Sequence, residues 1–236
     1  MKKLICLFML LTCFVLTACG GPNAKEEAQQ LNKEIYTPLI QLYADNSASI
    51  AAFIDGDLAK DNESVFLQKI NEEYFPKLTD LEAKFTKNNK EAANKEVKDL
   101  HSLIKMQLNN EKDLFKLLAD SSEADKKYWK NDCANLMRNI FDTDLKVKNE
   151  LSLAVNNKPA YDLSLSNFQK IHKGKSYTEV AEIFQMPGEL KSSKQSGIKI
   201  LGYRTVEEYV WEHNGATVKV TFDNDKAYLI EQEGLK

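Results

Sequence analysis

The side chains able to do chemistry in this chain are few and scattered. It carries three histidines (His101, His172 and His213) and four cysteines (Cys6, Cys13, Cys19 and Cys133). Acid–base and nucleophilic catalysis need an imidazole within hydrogen-bond reach of its partner, and the three histidines fall on three separate expected elements. His101 flanks an apolar helical stripe, as a boundary or satisfied histidine would. His213 precedes Asn214-Gly215 and is expected to be exposed at a hairpin tip. Asp132, Asp142 and Asp144 share one helical stretch, where a solvated charged face is a better account than metal ligation. Asp223-Asn224-Asp225 shares the opening of a calcium loop but lacks the rest of the twelve-residue pattern, so a plain turn is expected. The chain has no Gly-x-Ser-x-Gly, no phosphate-cradling glycine loop and no His-Glu-x-x-His. The expectation is a protein that is not an enzyme, with no catalytic residue, metal or cofactor.

Cys19 has the clearest chemistry. The chain opens Met1-Lys2-Lys3, runs through an apolar stretch from Leu4 to Leu16, and reaches Leu16-Thr17-Ala18-Cys19-Gly20. A basic start, an apolar run and small residues before a cut define an export signal, and the run is shorter than the ~20 residues needed to span a bilayer. Leu-Thr-Ala-Cys resembles the lipobox of bacterial lipoproteins. That resemblance implies cleavage between Ala18 and Cys19 and acylation of the Cys19 thiol, a palmitate-type anchor. One acyl chain holds a protein marginally, whereas two anchor it stably. Gly20 stands where an aspartate would argue against outer-membrane sorting, so the anchor is expected in the outer membrane or, in a single-membrane cell, in the cell membrane.

Cys6 and Cys13 would leave with the signal. Cys133 then stands alone, which excludes a disulfide framework within one chain. It lies on an apolar stripe with Trp129, Leu136 and Ile140, where a free cysteine serves as a small hydrophobe; an intermolecular disulfide stays open. The 32 Lys and Arg stand against 35 Asp and Glu, and cleavage would remove Lys2 and Lys3 from the basic side. A nucleic-acid partner is not expected, because binders of nucleic acid present a basic face.

The elements that must position these residues fall into two regions. Residues 1–18 form the signal and 19–25 a lipidated tether. Residues 26–157 are poor in glycine and show four apolar stripes at helical spacing. The first runs from Leu31 to Phe53, the second from Phe66 to Phe85, the third from Val97 to Leu118 and the fourth from Trp129 to Leu151. Breaks are expected at Asp55-Gly56-Asp57, Asn88-Asn89 and Asp120-Ser121-Ser122, with Ser122 and Asp125 as the cap and first-turn acid of the fourth helix. Short connections imply antiparallel neighbours, hence an N-terminal four-helix bundle, a rod of roughly 45 Å if its helices have about 30 residues. Pro38 and Pro76 sit inside helical patterns in similar surroundings and should bend their helices; the likeness is a faint internal repeat or chance.

A linker at 158–165 precedes a second region, 166–236. Phe168–His172 reads as a short helix ending at Gly174. Ser176-Tyr177-Thr178-Glu179 is a capping box opening a second helix that must stop by Pro187-Gly188. From Ile198 onward the period is two. Asn214-Gly215 is a hairpin signal, and Asp223-Asn224-Asp225-Lys226 a further turn. The fold class is α+β: the helical bundle, then two short helices on a three- or four-stranded antiparallel sheet. Alternation puts Tyr209 and Trp211 on the face packed against the helices, with Trp211 in the core. Tyr203 and Arg204 are the candidates for exposed partner contacts.

Ile171, Gly174, Ser176, Glu179-Val180, Pro187, Trp211 and Val218-x-Val220-x-Phe222 together resemble the signature of the small outer-membrane assembly lipoproteins of the SmpA/OmlA type. One half of the β-lactamase inhibitor protein shares that superfamily, as do uncharacterised lipoprotein domains. The sequence departs at Gln185, where the pattern commonly has glycine. The resemblance implies a noncatalytic role: a membrane-anchored envelope protein that binds or assembles other proteins. An enzyme inhibitor is the alternative, which expects an exposed apolar patch on the sheet face. A ligand-binding helical bundle is a further one, which expects a pocket with convergent polar groups.

Overall fold

The computed structural model describes residues 23–88, 94–121, 126–198 and 202–236. Ala18, Cys19 and the rest of the signal and tether before Asn23 lie outside the described residues, as do Asn89 and the cap expected at Ser122–Asp125. The described chain is α+β, with helices followed by a four-stranded antiparallel sheet.

The first apolar stripe forms three pieces instead of one helix: α1 (Ala24–Leu31), α2 (Thr37–Ala44) and α3 (Ser47–Asp55). Asn23 caps α1 in a capping box with Glu26. The gap at Asp45-Asn46 follows from side-chain competition for the backbone: Asn46 Nδ2 donates to the Leu42 carbonyl at 2.7 Å. Gly56 closes α3 in the left-handed conformation at φ 82°. The second stripe gives α4 (Lys60–Lys69) and α5 (Phe75–Asn88).

Both prolines bring the same device. A π-turn at Asn32–Tyr36 precedes Pro38, and another at Ile70–Tyr74 precedes Pro76. Proline has no N–H, and its ring crowds the carbonyl four residues back. Widening the preceding turn relieves that crowding, and Thr37 N and Phe75 N accordingly reach back five residues to Asn32 O and Ile70 O. The extra residue also swings a tyrosine inward in each case. The Tyr36 hydroxyl donates to Asp144 and the Tyr74 hydroxyl to Asn46.

A 3₁₀ turn (Lys95–Val97) leads into α6 (Lys98–Ala119), and α7 (Lys126–Asn156) follows. Trp129 Nε1 donates to the Leu117 carbonyl at 2.8 Å, and Asn110 reaches Thr143 at 3.3 Å. Numbering falls on α6 as it rises on α7, so the two are antiparallel. Leu31, Ile35, Ile50, Ile70, Ile104, Phe115, Cys133, Ile140 and Val147 share one buried core. Each of the aliphatic and phenylalanine side chains contributes ~1.5–3 kcal/mol relative to exposure.

The second region begins with α8 (Leu165–Phe168), earlier than the helix expected at Phe168–His172 because Ser164 supplies the cap, accepting from Asn167 N. The capping box at Ser176 and Glu179 opens α9 (Tyr177–Phe184). The strands are β1 (Glu189–Ile198), β2 (Gly202–His213), β3 (Ala216–Asp223) and β4 (Lys226–Glu233), paired in that order. Strand β1 starts well before Ile198. It is an edge strand with polar side chains on both faces, and it showed no apolar alternation. Asn214-Gly215 and Asn224-Asp225 both turn with positive φ, as two-residue hairpins require.

Under the sheet lies a second core of Tyr177, Val180, Phe184, Tyr209, Trp211, Val218, Val220 and Phe222. Leu145 of α7 belongs to it, and Phe141 packs against it. Helix α7 therefore serves two cores, one on each side, and the α/β region sits against its flank.

Candidate functional site

The seam between α7 and the α/β region gathers a cluster of interconnected polar side chains. Its centre is Arg138, one helical turn from Asp142 and from Ala134. Arg138 Nη1 donates to Glu207 Oε2 at 3.1 Å and to the Tyr209 hydroxyl, and Nη2 lies 3.6 Å from Asp225 Oδ1. The guanidinium also sits over the Tyr177 ring, 4.8 Å from its centre, a favourable placement for a cation on an aromatic face. Burial alone would lower the Arg138 pKa, but Tyr209, Glu207 and Asp225 outweigh it and hold the charge in place.

Tyr177 ties the other side. Its hydroxyl donates to Asp142 Oδ1 at 2.8 Å and accepts from Gly188 N at 3.2 Å, while its own N–H donates to Asp225 Oδ1 at 3.1 Å. Burial, then the neighbouring Asp142, pushes the Tyr177 hydroxyl above its ordinary range, and burial raises Asp142 as well. Burial likewise pushes Tyr209 up to about 12, against the pull of Arg138. These phenols stay protonated at neutral pH, Tyr177 donating to Asp142 and Tyr209 accepting from Arg138. About two turns beyond Asp142 along α7, Asn149 donates to the Gln185 carbonyl and accepts from the N–H groups of Ala160 and Tyr161. The seam thus uses three α7 positions as a clasp. Asn135, Arg138, Asn139, Asp142, Glu207 and Tyr209 line a groove of about 580 Å³ beside it.

None of the clasp residues was singled out from sequence for this role. The sequence places Asp142 on a solvated charged face in preference to a metal site, and the signal that marks it, a polar row at Arg138, Asp142 and Asn149 beside Phe141 and Leu145, emerges only once α7 is known to have two packed faces. Arg204 is exposed, as expected, and its guanidinium is engaged in a two-point pair with Asp223, Nε to Oδ1 at 2.8 Å and Nη2 to Oδ2 at 2.7 Å. Tyr203 falls on β2 opposite Gly197, and its side chain lies outside the described residues.

The histidines are not brought together. His101 is buried against Phe85, His172 is exposed, and His213 Nδ1 lies 3.2 Å from the Tyr161 hydroxyl. His213 is half-buried, not exposed at the hairpin tip, because Tyr161 of the connecting segment packs on its ring. Cys133 is fully buried in the helical core, where burial pushes its thiol up to about 11. Among the described residues no group of three or more His, Cys, Asp or Glu is placed to hold a metal ion.

The outer sheet face carries charge. Glu208, Glu212, Lys219, Glu231 and Glu233 line it around Val210, with Lys219 paired to Glu231 at 3.1 Å. Leu229 is exposed on the same face opposite Thr221, so the face mixes these charges with an exposed leucine.

A second polar feature is enclosed by the helices. Glu111 is fully buried, its Oε1 accepts from Gln107 Nε2 at 3.1 Å, and both Glu111 Oε2 and Gln107 Oε1 have no partner. Burial raises the Glu111 carboxyl well above the usual carboxylate range, with Asp144 adding to the effect and the Gln107 bond opposing it. Protonation supplies the donor that this pair of acceptors lacks.

The family model described as a domain of unknown function with a solved structure, DUF3862, matches residues 79–235. No curated protein and no solved structure matched the chain.

Proposed function

We propose that this chain, which belongs to the DUF3862 family, is an exported lipoprotein that binds another protein at a membrane surface without catalysing a reaction. The anchor in this reading is lipid on Cys19, four residues before the Asn23 cap of α1, in the outer membrane or the cell membrane. The four helical stretches would form an antiparallel bundle, and the α/β region would be of the SmpA/OmlA type.

One observation carries the binding reading. The inner sheet face is consumed by α9 and α7, and the clasp at Arg138, Asp142 and Asn149 fixes it there. The surfaces left for a partner are the outer face and the β1 edge, and their chemistry is charged. A partner recognised there would meet Arg204, Glu208, Glu212, Lys219 and Glu231. Such contacts steer association and weaken with salt. Nucleic acid is not the expected partner of a face dominated by glutamates.

The test has two arms. Labelled palmitate should enter the wild-type chain in cells and not the Cys19→Ser variant; equal labelling of both would refute the anchor. A photo-crosslinker at position 203 should capture one defined protein, with capture lost at high salt and in Glu208→Lys/Glu231→Lys. Capture indifferent to both changes, or no capture, would refute the charged-face interface.

A further inference from the structure

Four helix termini lie together at one end of the helical region. Asn94 N and Nδ2 donate to the Glu27 carboxylate at 3.0 and 2.6 Å, which sets the start of α1 beside the approach to α6. Phe85 packs on His101 and Glu82 pairs with Lys112 at 2.7 Å, so α5 runs against α6 and ends near its first turn. Gln29, Asn32 and Tyr36 line one groove with Ser152, Val155 and Asn156, and the Tyr36 hydroxyl donates to Asp144. Numbering rises on one side as it falls on the other, so α7 ends beside the start of α1. The opposite end holds the close of α3 and the first turns of α7, where Lys130 Nζ donates to the Asp55 carbonyl at 3.4 Å. At 1.5 Å per residue, Lys130 and Asn156 are ~39 Å apart along α7.

The two ends differ in charge. Among the described residues at the first, Lys25, Lys87, Lys95, Lys98 and Lys158 are exposed. They stand against the exposed carboxylates of Glu26, Glu96 and Asp99 and half-buried Glu150, while Asn94 holds Glu27. At the opposite end Asp55, Asp57, Asp120 and Asp132 are exposed beside Lys116 and Lys130. The whole chain carries a net charge of −3, so the first end runs against its overall sign.

We propose that the end bearing Lys25, Lys95, Lys98 and Lys158 rests on the anionic bilayer that the Cys19 lipid enters, an inference that depends on the anchor proposed above. Four residues separate Cys19 from Asn23, and an extended chain spans at most ~3.6 Å per residue, so α1 begins within ~14 Å of the headgroups. An anionic membrane surface attracts cations over ~8–10 Å. The tether brings the lysines to the edge of that range, and the aspartates of the opposite end stand beyond it. Helix α7 then points away from the bilayer. Its clasp positions Asn149 and Arg138 lie ~10 and ~27 Å above Asn156, which holds the α/β region in the layer next to the membrane.

A chemically imposed tether tests this contact apart from the anchor. The chain from Cys19 onward, in which Cys133 is buried, is coupled through the Cys19 thiol to a maleimide-headed lipid in vesicles of phosphatidylcholine with phosphatidylglycerol. A fluorescent amino acid is placed in turn at Glu96, Asn156, Asp57 and Asn131, all exposed, and a quencher is carried on lipid headgroups. Quenching at 96 and 156 should exceed that at 57 and 131 at least threefold. Lys95→Glu/Lys98→Glu/Lys158→Glu should at least halve the ratio of position 156 to position 57. Vesicles of phosphatidylcholine alone should do the same with the protein itself unchanged. Equal quenching at the two ends, stronger quenching at 57 or 131, or a ratio indifferent to both charge changes overturns the proposal. The palmitate result bears on the anchor alone, because here the tether is imposed.

Discussion

Gln185 closes α9 with φ 52° and ψ 34°, the left-handed conformation. A side chain there costs roughly 1–2 kcal/mol, and glycine is the residue that helix ends favour at such a position. Its amide recovers part of this by donating to the Glu182 carbonyl at 2.8 Å. Gln185→Gly should therefore raise stability by about 0.5–1 kcal/mol, read as a higher urea midpoint with unchanged slope; a lower midpoint would mean that the amide contact dominates. Glu111 makes the opposite kind of demand. Its folded pKa is raised by burial, so the folded state holds a proton that the unfolded chain releases above about pH 4. Its stabilising contribution is complete below that pH and is lost as pH climbs toward the folded pKa. Glu111→Gln removes the proton and keeps the shape. The variant should gain on the wild type as pH rises above about 5, by up to ~1.4 kcal/mol per pH unit until the folded pKa is reached, measured as paired urea titrations; a pH-independent gap would show that Glu111 is not the titrating group.

Helix α7 is the element on which both cores depend. Cys133, Ile140 and Val147 face one, and Leu145 with Phe141 faces the other. Leu145→Ala should cost ~2–4 kcal/mol, and thermal unfolding followed separately at Trp129 and Trp211 should shift together. Trp129 lies in the helical core and Trp211 under the sheet, so a shift confined to Trp211 would mean that the two cores melt apart. The helical period of α7 was legible in the sequence, but its second packed face was not. Phe141 and Leu145 lie beside the stripe of Trp129, Cys133 and Ile140, and they read as its margin until the α/β region is placed against them. The turns were legible for a local reason: Gly56, Asn214-Gly215 and the Ser176 capping box each satisfy backbone groups within a few residues. Strand β1 was not, because an edge strand exposed on both faces has no apolar alternation to display. The π-turns before Pro38 and Pro76 were foreshadowed only as bends. The clasp at Arg138 joins positions about 70 residues apart, and no spacing rule reaches that far.

At the scale of the molecule, the family match spans 79–235. It takes in α6, α7, the stretch 158–165 and the α/β region together, and the first helical pieces fall outside it. This agrees with α7 as the shared wall. Removing residues 158–236 should leave Phe141 and Leu145 bare, and the truncated chain should bind a hydrophobic dye far more strongly than the intact one; equal dye binding would show that the helices re-cover that face. The two free margins of the sheet carry a further consequence. On β1 the residues Lys191, Ser192, Ser193, Lys194 and Gln195 are all exposed and polar, and where β4 pairs with Thr221 and Phe222 of β3 the ladder slips, leaving Tyr228 of β4 as the extra residue. Lysines and bulges at such margins keep one sheet from extending into the next. Under the proposed anchor, the chain would be held by one end on a surface and would meet its own copies far more often than in dilute solution. With both margins blunted, these molecules can stand shoulder to shoulder without fusing into a continuous ribbon.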